Sequence, residues 1–283
     1  MSADDLLREL KVDEPLTALQ QQVRSNPADA KARVFLFQLL CVLGQYERAL
    51  TQLNVAGDMD AGTLAMVQTY REALSCEALR LEIFAGRRSP LVFGDPEQWV
   101  ALILQALALD ADGNHAQASE LRSQGFENAP TTSGELDGQR FEWIADADSR
   151  LGPILEAVVN GNYYWIPFSR IKEIRTEPPE DLRDLVWTPA YFTWANGGET
   201  VGLIPTRYPG SEASDDPQIR MARKTDWAAA GEDSFVGYGQ RLLATDVDEY
   251  PLLNVRHITL DVDQESAEEE GGESGSAADA PDG

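Results

Sequence analysis

The sequence holds little with which to do metal or redox chemistry. Cys41 and Cys76 are its only cysteines, and His115 and His257 its only histidines, in 283 residues. Two cysteines so placed make neither a disulfide framework nor a zinc site. Cys41 sits in the most apolar run and reads as a small buried hydrophobe. The histidines are isolated, one at a helix-pair turn and one in a late strand, which suits surface or structural roles. There is no glycine-rich phosphate loop and no nucleophile elbow. No run of 18 apolar residues is present to cross a membrane. Residues 1–5 lack the basic and apolar segments of a signal peptide, so a cytoplasmic chain is expected. Cations are scarce: 23 Lys and Arg face 48 Asp and Glu, a net charge of −25. Nine acids and no base fall in the last 23 positions. That field repels phosphate backbones and anionic lipid, so neither nucleic acid nor membrane is expected as a partner. Its simplest use is solubility.

What is present begins with residues 26–53, NPADAKARVFLFQLLCVLGQYERALTQL. Asp29 can cap a helix. Residues 34–43 are apolar except Gln38, so that helix is buried on more than one side. Gly44 ends it, and Tyr46, Ala49, Leu50 and Leu53 line one face of a return helix. Such a helix pair is the unit of a tetratricopeptide array, which buries its apolar face only by stacking. Residues 4–24 read as two short helices broken at Pro15, or a tail and one helix. A long helix is expected over 63–85, ended by Gly86. Asp95-Pro96-Glu97 starts another that runs through Trp99 to Asp110. Gly113 turns the chain into a last helix that stops at Ala129-Pro130. The fold class is therefore α+β: an N-terminal tetratricopeptide-like helical array followed by a small, mostly antiparallel β domain with short helices.

The pattern changes after Pro130. Residues 131–138 read as a linker, 139–260 as the β-rich domain and 261–283 as a disordered acidic tail. Aromatic and β-branched runs predict strands over 141–145, 163–167, 171–176, 185–188, 191–194, 199–206 and 253–260. Asn196-Gly197-Gly198 predicts a hairpin. Residues 234–245 predict a further turn with a strand or helix. Short helices are expected over 152–159 and 217–222, and a loop over 207–211. Trp143, Trp165, Trp187 and Trp194 are read as β-domain core.

Two stretches tempt a functional reading. Asp146 and Asp148 are a carboxylate pair that could do acid–base work or hold a metal, as in a metal-dependent hydrolase. The plainer reading has Asp148 or Ser149 capping the helix to Val159 and Asp146 pairing with Arg150. The loop around Arg207 and Tyr208 exposes two common interface anchors between prolines, or forms a rigid turn with Tyr208 packed back on the sheet. Arg87 and Arg88 form an exposed basic turn beside the helical half. If that half offers a groove to an amphipathic helix, they sit where a rim would pair with carboxylates.

Six stretches carry a family resemblance: RVFLFQLLCVLGQYERALTQLNV (33–55), QTYREALSCEALR (68–80), FAGRRSPLVFGDPEQW (84–99), FEWIADADSRLGPILEAVVNGNYYWIPF (141–168), DLVWTPAYFTWANGGETVGLIPTRYPGSE (184–212) and RLLATDVDEYPLLNVR (241–256). Together they resemble the ImpE/SciE family, also called TagJ, of accessory proteins encoded with bacterial type VI secretion systems. The likeness runs from about Leu6 to Ile258 and leaves out the acidic tail. It implies a non-enzymatic adaptor without cofactor or metal. The implied partner is the N-terminal helix of the small sheath subunit TssB, with a link to sheath assembly or to recycling by the ATPase ClpV. The family offers no catalytic motif to carry over.

Overall fold

Asp29 opens the central helix by accepting the Ala32 N–H at 2.9 Å. In the computed structural model, which describes residues 13–262 apart from 96, 232 and 233, the helical half comprises α1 (Asp13–Ser25), α2 (Ala30–Val42), α3 (Tyr46–Met59), α4 (Leu64–Phe84), α5 (Gln98–Ala111) and α6 (His115–Asn128). Three of these helices end alike. Gly44, Gly86 and Gly113 take positive φ of 68°, 70° and 81°. At each, the glycine N–H and the next residue's N–H turn back onto the last carbonyls, as in Gly44 to Cys41 at 3.1 Å and Gln45 to Leu40 at 2.9 Å. This closure satisfies carbonyls that the helix end would otherwise orphan, and glycine takes it without a Cβ penalty. α2 packs on α3 and α5 on α6, the paired-helix arrangement that the glycine spacing predicts.

Pro15 does not break a helix. It lies in the first turn of α1, where its missing N–H has no partner to lose. Residues 1–12, where an earlier helix is expected, lie outside the described residues. α5 starts at Gln98, later than Asp95-Pro96-Glu97 suggests. Glu97 stays extended, and its carboxylate takes the Trp99 indole N–H at 2.8 Å and Arg170 at 3.4 Å.

The second half is built from β1 (Leu91–Val92), β2 (Gly134–Leu136), β3 (Gln139–Phe141), β4 (Ile144–Asp146), β5 (Ile154–Val159), β6 (Asn162–Pro167), β7 (Ile171–Thr176), β8 (Trp187–Trp194), β9 (Glu199–Pro205), β10 (Thr225–Ala229), β11 (Phe235–Gly239), β12 (Leu242–Thr245), β13 (Glu249–Pro251) and β14 (His257–Leu260), with α7 (Pro217–Arg220) between β9 and β10. Nine strands form one sheet in the order β1-β6-β5-β9-β8-β7-β14-β2-β3. Its pairs are antiparallel except β1 with β6. A three-stranded sheet β13-β12-β4 and a ribbon β10-β11 complete the half. The hairpin at Asn196-Gly197-Gly198 joins β8 to β9, with Gly197 at φ 83°.

Several expectations are corrected. Residues 152–159 contain strand β5, not a helix: all six positions of ILEAVV are buried, so no alternation betrays the strand. Residues 131–138 contain β2, which pairs with β14 and β3 inside the main sheet. The 141–145 run splits between β3 and β4, which belong to different sheets, and Trp143 at the break is 40% exposed, not core. Residues 187–194 make one strand, β8, through Pro189, with 185 and 186 in the turn before it. Proline is tolerated there because β7 stops at Thr176, opposite Ala190. The acidic tail beyond Val262 lies outside the described residues.

Two apolar clusters fill the protein. One gathers α1 to α5 with Ile154, Val158, Tyr163, Trp165, Trp187 and Leu203 from one face of the main sheet. Phe37, Tyr70 and Trp187 pass the contact from α2 through α4 to β8 with ring centroids 5.8 and 5.9 Å apart. The other lies on the opposite face, around Leu155, Ile166, Phe192 and Ile204, covered by Leu243, Leu252 and Val255. Trp165 and Trp187 thus serve the junction between helices and sheet as well as the β half.

Candidate functional site

At that junction the interior is ionic. Glu156 on β5 is fully buried. It accepts Arg80 of α4 in a fork, Nε at 2.6 Å and Nη2 at 3.0 Å. It also accepts the Tyr163 hydroxyl and Arg241. Arg80 continues to Glu77 at 3.0 Å and to the Arg207 carbonyl at 2.9 Å. Trp187 donates to Glu77 at 3.2 Å, and Trp165 to the Tyr163 hydroxyl at 2.9 Å. Arg241 spans Glu156 and Asp146. Asp146 also takes the Tyr208 hydroxyl at 3.0 Å and the Asp148 N–H at 2.8 Å. Asp148 takes Arg150 by Nε at 2.9 Å and Nη2 at 2.6 Å, with the Gly237 N–H at 2.8 Å.

The electrostatics follow from burial and pairing. Burial alone would raise the Glu156 carboxyl, but Arg80 and Arg241 hold it down to about 2. Burial pushes Asp146 up to about 6 against the pull of Arg241. Burial also lifts the Tyr163 and Tyr208 hydroxyls well above the ordinary phenol range. Glu156, with two arginines as donors, is the carboxylate held firmly ionised. The network joins helix α4 to strands β4 and β5 and to the segment before β12. Its chemistry is that of a cross-brace.

Each predicted site residue now has a place. Asp146 pairs with Arg241, and Arg150 pairs with Asp148 instead; neither Asp148 nor Ser149 caps a helix, since none follows. Both carboxylates engage arginines and backbone N–H groups, leaving no coordination shell. Among the described residues no group of three or more His, Cys, Asp or Glu is arranged to hold a metal ion. Arg207 and Tyr208 are not an exposed loop: they are 4% and 0% exposed. Arg207 donates to Val42 O at 2.7 Å and Cys41 O at 3.3 Å, so it closes the C-terminal end of α2 from across the junction. Tyr208 packs on Trp227, with ring centroids 5.6 Å apart, and against Gly237. The rigid-turn alternative is the one observed. Arg87 and Arg88 are exposed, and Arg87 forks onto Glu82 with two bonds of 2.7 Å. His115 lies 3.0 Å from Asp110 and His257 2.7 Å from Glu173, both at the surface.

Beside a hollow of about 530 Å³ between α7 and the β10–β11 ribbon, lined by Ile219, Trp227 and Tyr238, two smaller ones bear on docking. One, about 270 Å³, lies in the helical half against Val34, Phe35 and Thr63. The other, about 370 Å³, opens between the end of α6 and β4, where Phe126, Pro130 and Trp143 surround Ala145 and Ala147. Sequence reasoning missed the second. Its signal was Trp143, which follows a strand yet finds no place in the core.

Comparison with known proteins gives the following. A family model described as ImpE protein matches residues 138–259. The type VI secretion system accessory component TagJ of Pseudomonas aeruginosa is 50% identical over 261 residues, 92% of each chain. Among solved structures, protein VPA1032 from Vibrio parahaemolyticus matches with a TM-score of 0.83 at 23% identity, over 92% of this chain and 97% of that one. That last likeness speaks for the fold alone.

Proposed function

The chain belongs to the ImpE/TagJ family, and from that premise we propose that it is a non-enzymatic adaptor of a type VI secretion system, taking the N-terminal helix of the small sheath subunit TssB and acting on sheath assembly or on ClpV-dependent recycling. The observation that carries the reading is the 50% identity to a type VI secretion accessory component across 92% of both chains. The pairing of interior acids and bases supports it: Asp146 lies against Arg241 and Asp148 against Arg150, as in a structural brace.

An amphipathic helix needs an apolar hollow and an oriented rim. The helical half offers a hollow at Val34 and Phe35 beside the start of α4, and Arg87 and Arg88 follow its end. A helix of roughly 20 residues spans about 30 Å, so one lying along α4 reaches from hollow to arginines. The test is titration of a labelled peptide of the TssB N-terminal helix at two salt concentrations. Arg87→Glu with Arg88→Glu should weaken capture and remove part of its salt sensitivity while leaving the melting temperature alone. A peptide that fails to bind the wild-type chain overturns the reading. Binding that ignores the double swap moves the site away from these arginines.

A further inference from the structure

The hollow between α6 and β4 has the makings of a second docking surface, distinct from the one along α4. Ala145 of β4 lies between the buried Ile144 and Asp146, Trp143 and Ala147 flank the strand, and Ala244 stands directly opposite Ala145 on β12. Ala145, Ala147 and Ala244 therefore make a shallow floor of methyl groups in a hollow of about 370 Å³. Its walls are aromatic. Phe126 lies against Gly152 so closely that a Cβ there would meet its ring at 2.4 Å, which fixes that wall in place. Trp143 and Phe126 stay 40% and 36% exposed, although both are large enough to be core. Exposed aromatics beside a small-residue floor mark a surface that a partner completes.

Charge decides what kind of partner. Glu127 and Glu142 adjoin the two aromatics in sequence, and both are exposed. Asp246, also exposed, is held beside Glu142 by accepting its N–H at 2.7 Å. The nearby cations are committed, Arg140 to Asp261 and Arg150 to Asp148. The hollow thus has an alanine floor with Thr131, Thr132 and Ser149 also in its lining, and the exposed charges that neighbour its aromatic walls along the chain are acidic. We propose that it receives a basic apolar segment of a partner protein: a bulky aliphatic or aromatic side chain seated on Ala145 between Phe126 and Trp143, with flanking Lys or Arg facing Glu127, Glu142 and Asp246. The aromatic walls supply the affinity, and the acids set orientation and association rate.

The probe is a fluorescein-labelled peptide, Lys-Lys-Gly-Leu-Phe-Gly-Lys-Lys, titrated with the full chain and followed by anisotropy. Its counterpart with Glu in place of Lys is the control. The lysine peptide should bind saturably and more weakly as salt rises, and the glutamate peptide should not bind. Trp143→Ala, which alters no charge, should weaken binding about tenfold. Ala145→Leu, which fills the floor, should do the same. Glu127→Lys with Glu142→Lys should weaken it and flatten its salt dependence. Arg87→Glu with Arg88→Glu should change nothing, which separates this surface from the proposed sheath-helix site. The melting temperature of each variant reports on folding, and Trp143→Ala decides if Ala145→Leu unfolds. Absence of saturable binding overturns the proposal. So does binding that responds to the charge swaps but not to Trp143→Ala or Ala145→Leu, because that is attraction to an acidic protein and no site.

Discussion

Arg241 lies between two carboxylates of the β half with its side chain sealed from water, and shares one of them, Glu156, with Arg80 of α4. Arg241→Met keeps most of the volume and strands Asp146 and half of the Glu156 pairing. Breaking a buried pair from one side costs about 3–5 kcal/mol, and urea unfolding should read a loss in that range. Asp146 adds a pH signature. Its carboxyl is raised from 3.8 to about 6 in the fold, so the folded protein holds that proton more tightly than the unfolded chain. Its contribution to stability is fully present below pH 3.8 and is lost as pH rises through about 6. Glu156 runs the other way. Lowered from 4.5 to about 2, it contributes above pH 4.5 and its contribution is lost as pH falls through about 2. The stability difference between wild type and Asp146→Asn should therefore shrink from pH 4 to 6 and level off above. A difference constant across that range would show that Asp146 does not titrate there.

At the scale of elements, glycines divide into those that shape a turn and those that admit a neighbour. Gly113 turns α5 into α6 at φ 81°, and a Cβ added there would meet nothing within 4 Å. Gly113→Ala should cost only the left-handed penalty, about 1–2 kcal/mol. Gly134 in β2 is different. A Cβ there would lie 2.1 Å from the Thr259 carbonyl oxygen and 2.8 Å from the Phe141 ring. The backbone itself must move, which opens the β2–β14 ladder. Gly134→Ala should cost more than Gly113→Ala, and hydrogen exchange should speed up at Glu135, Leu136 and Ile258. Equal losses for the two would mean that β2 yields freely.

For the molecule as a whole, the cluster that holds α2 and α4 also holds Trp165, Trp187 and Leu203 of the sheet. Arg80 and Arg207 cross the same junction in opposite directions, one from helix to strand and one from loop to helix. Full-length chain should unfold in a single cooperative transition. A fragment of residues 1–130 should lack one, because it exposes the Tyr70 and Phe37 face that Trp187 completes. A sharp calorimetric transition in that fragment would show that the helical half stands alone.

Local chemistry made much of this legible in the sequence. Asp29, Gly44, Gly86 and Gly113 set helix ends through caps and positive φ, which depend on a few neighbouring residues. The Asn196-Gly197-Gly198 hairpin and the buried run at Leu36 to Val42 are local in the same sense. The acidic balance and the lack of a phosphate loop were likewise visible without coordinates. Contacts between distant residues were not. β5 reads as a helix until both its faces are seen to be covered, and β2 reads as a linker until β14 arrives more than a hundred residues later. Arg207 and Tyr208 look like surface anchors because the sequence gives no sign of the Cys41, Val42 and Asp146 acceptors that wait for them. Asp146 and Asp148 look catalytic for the same reason: their partners, Arg241 and Gly237, come some ninety residues on. Charge and turn chemistry act over a few bonds and can be read in order, whereas the fate of a polar side chain depends on what the fold brings opposite it.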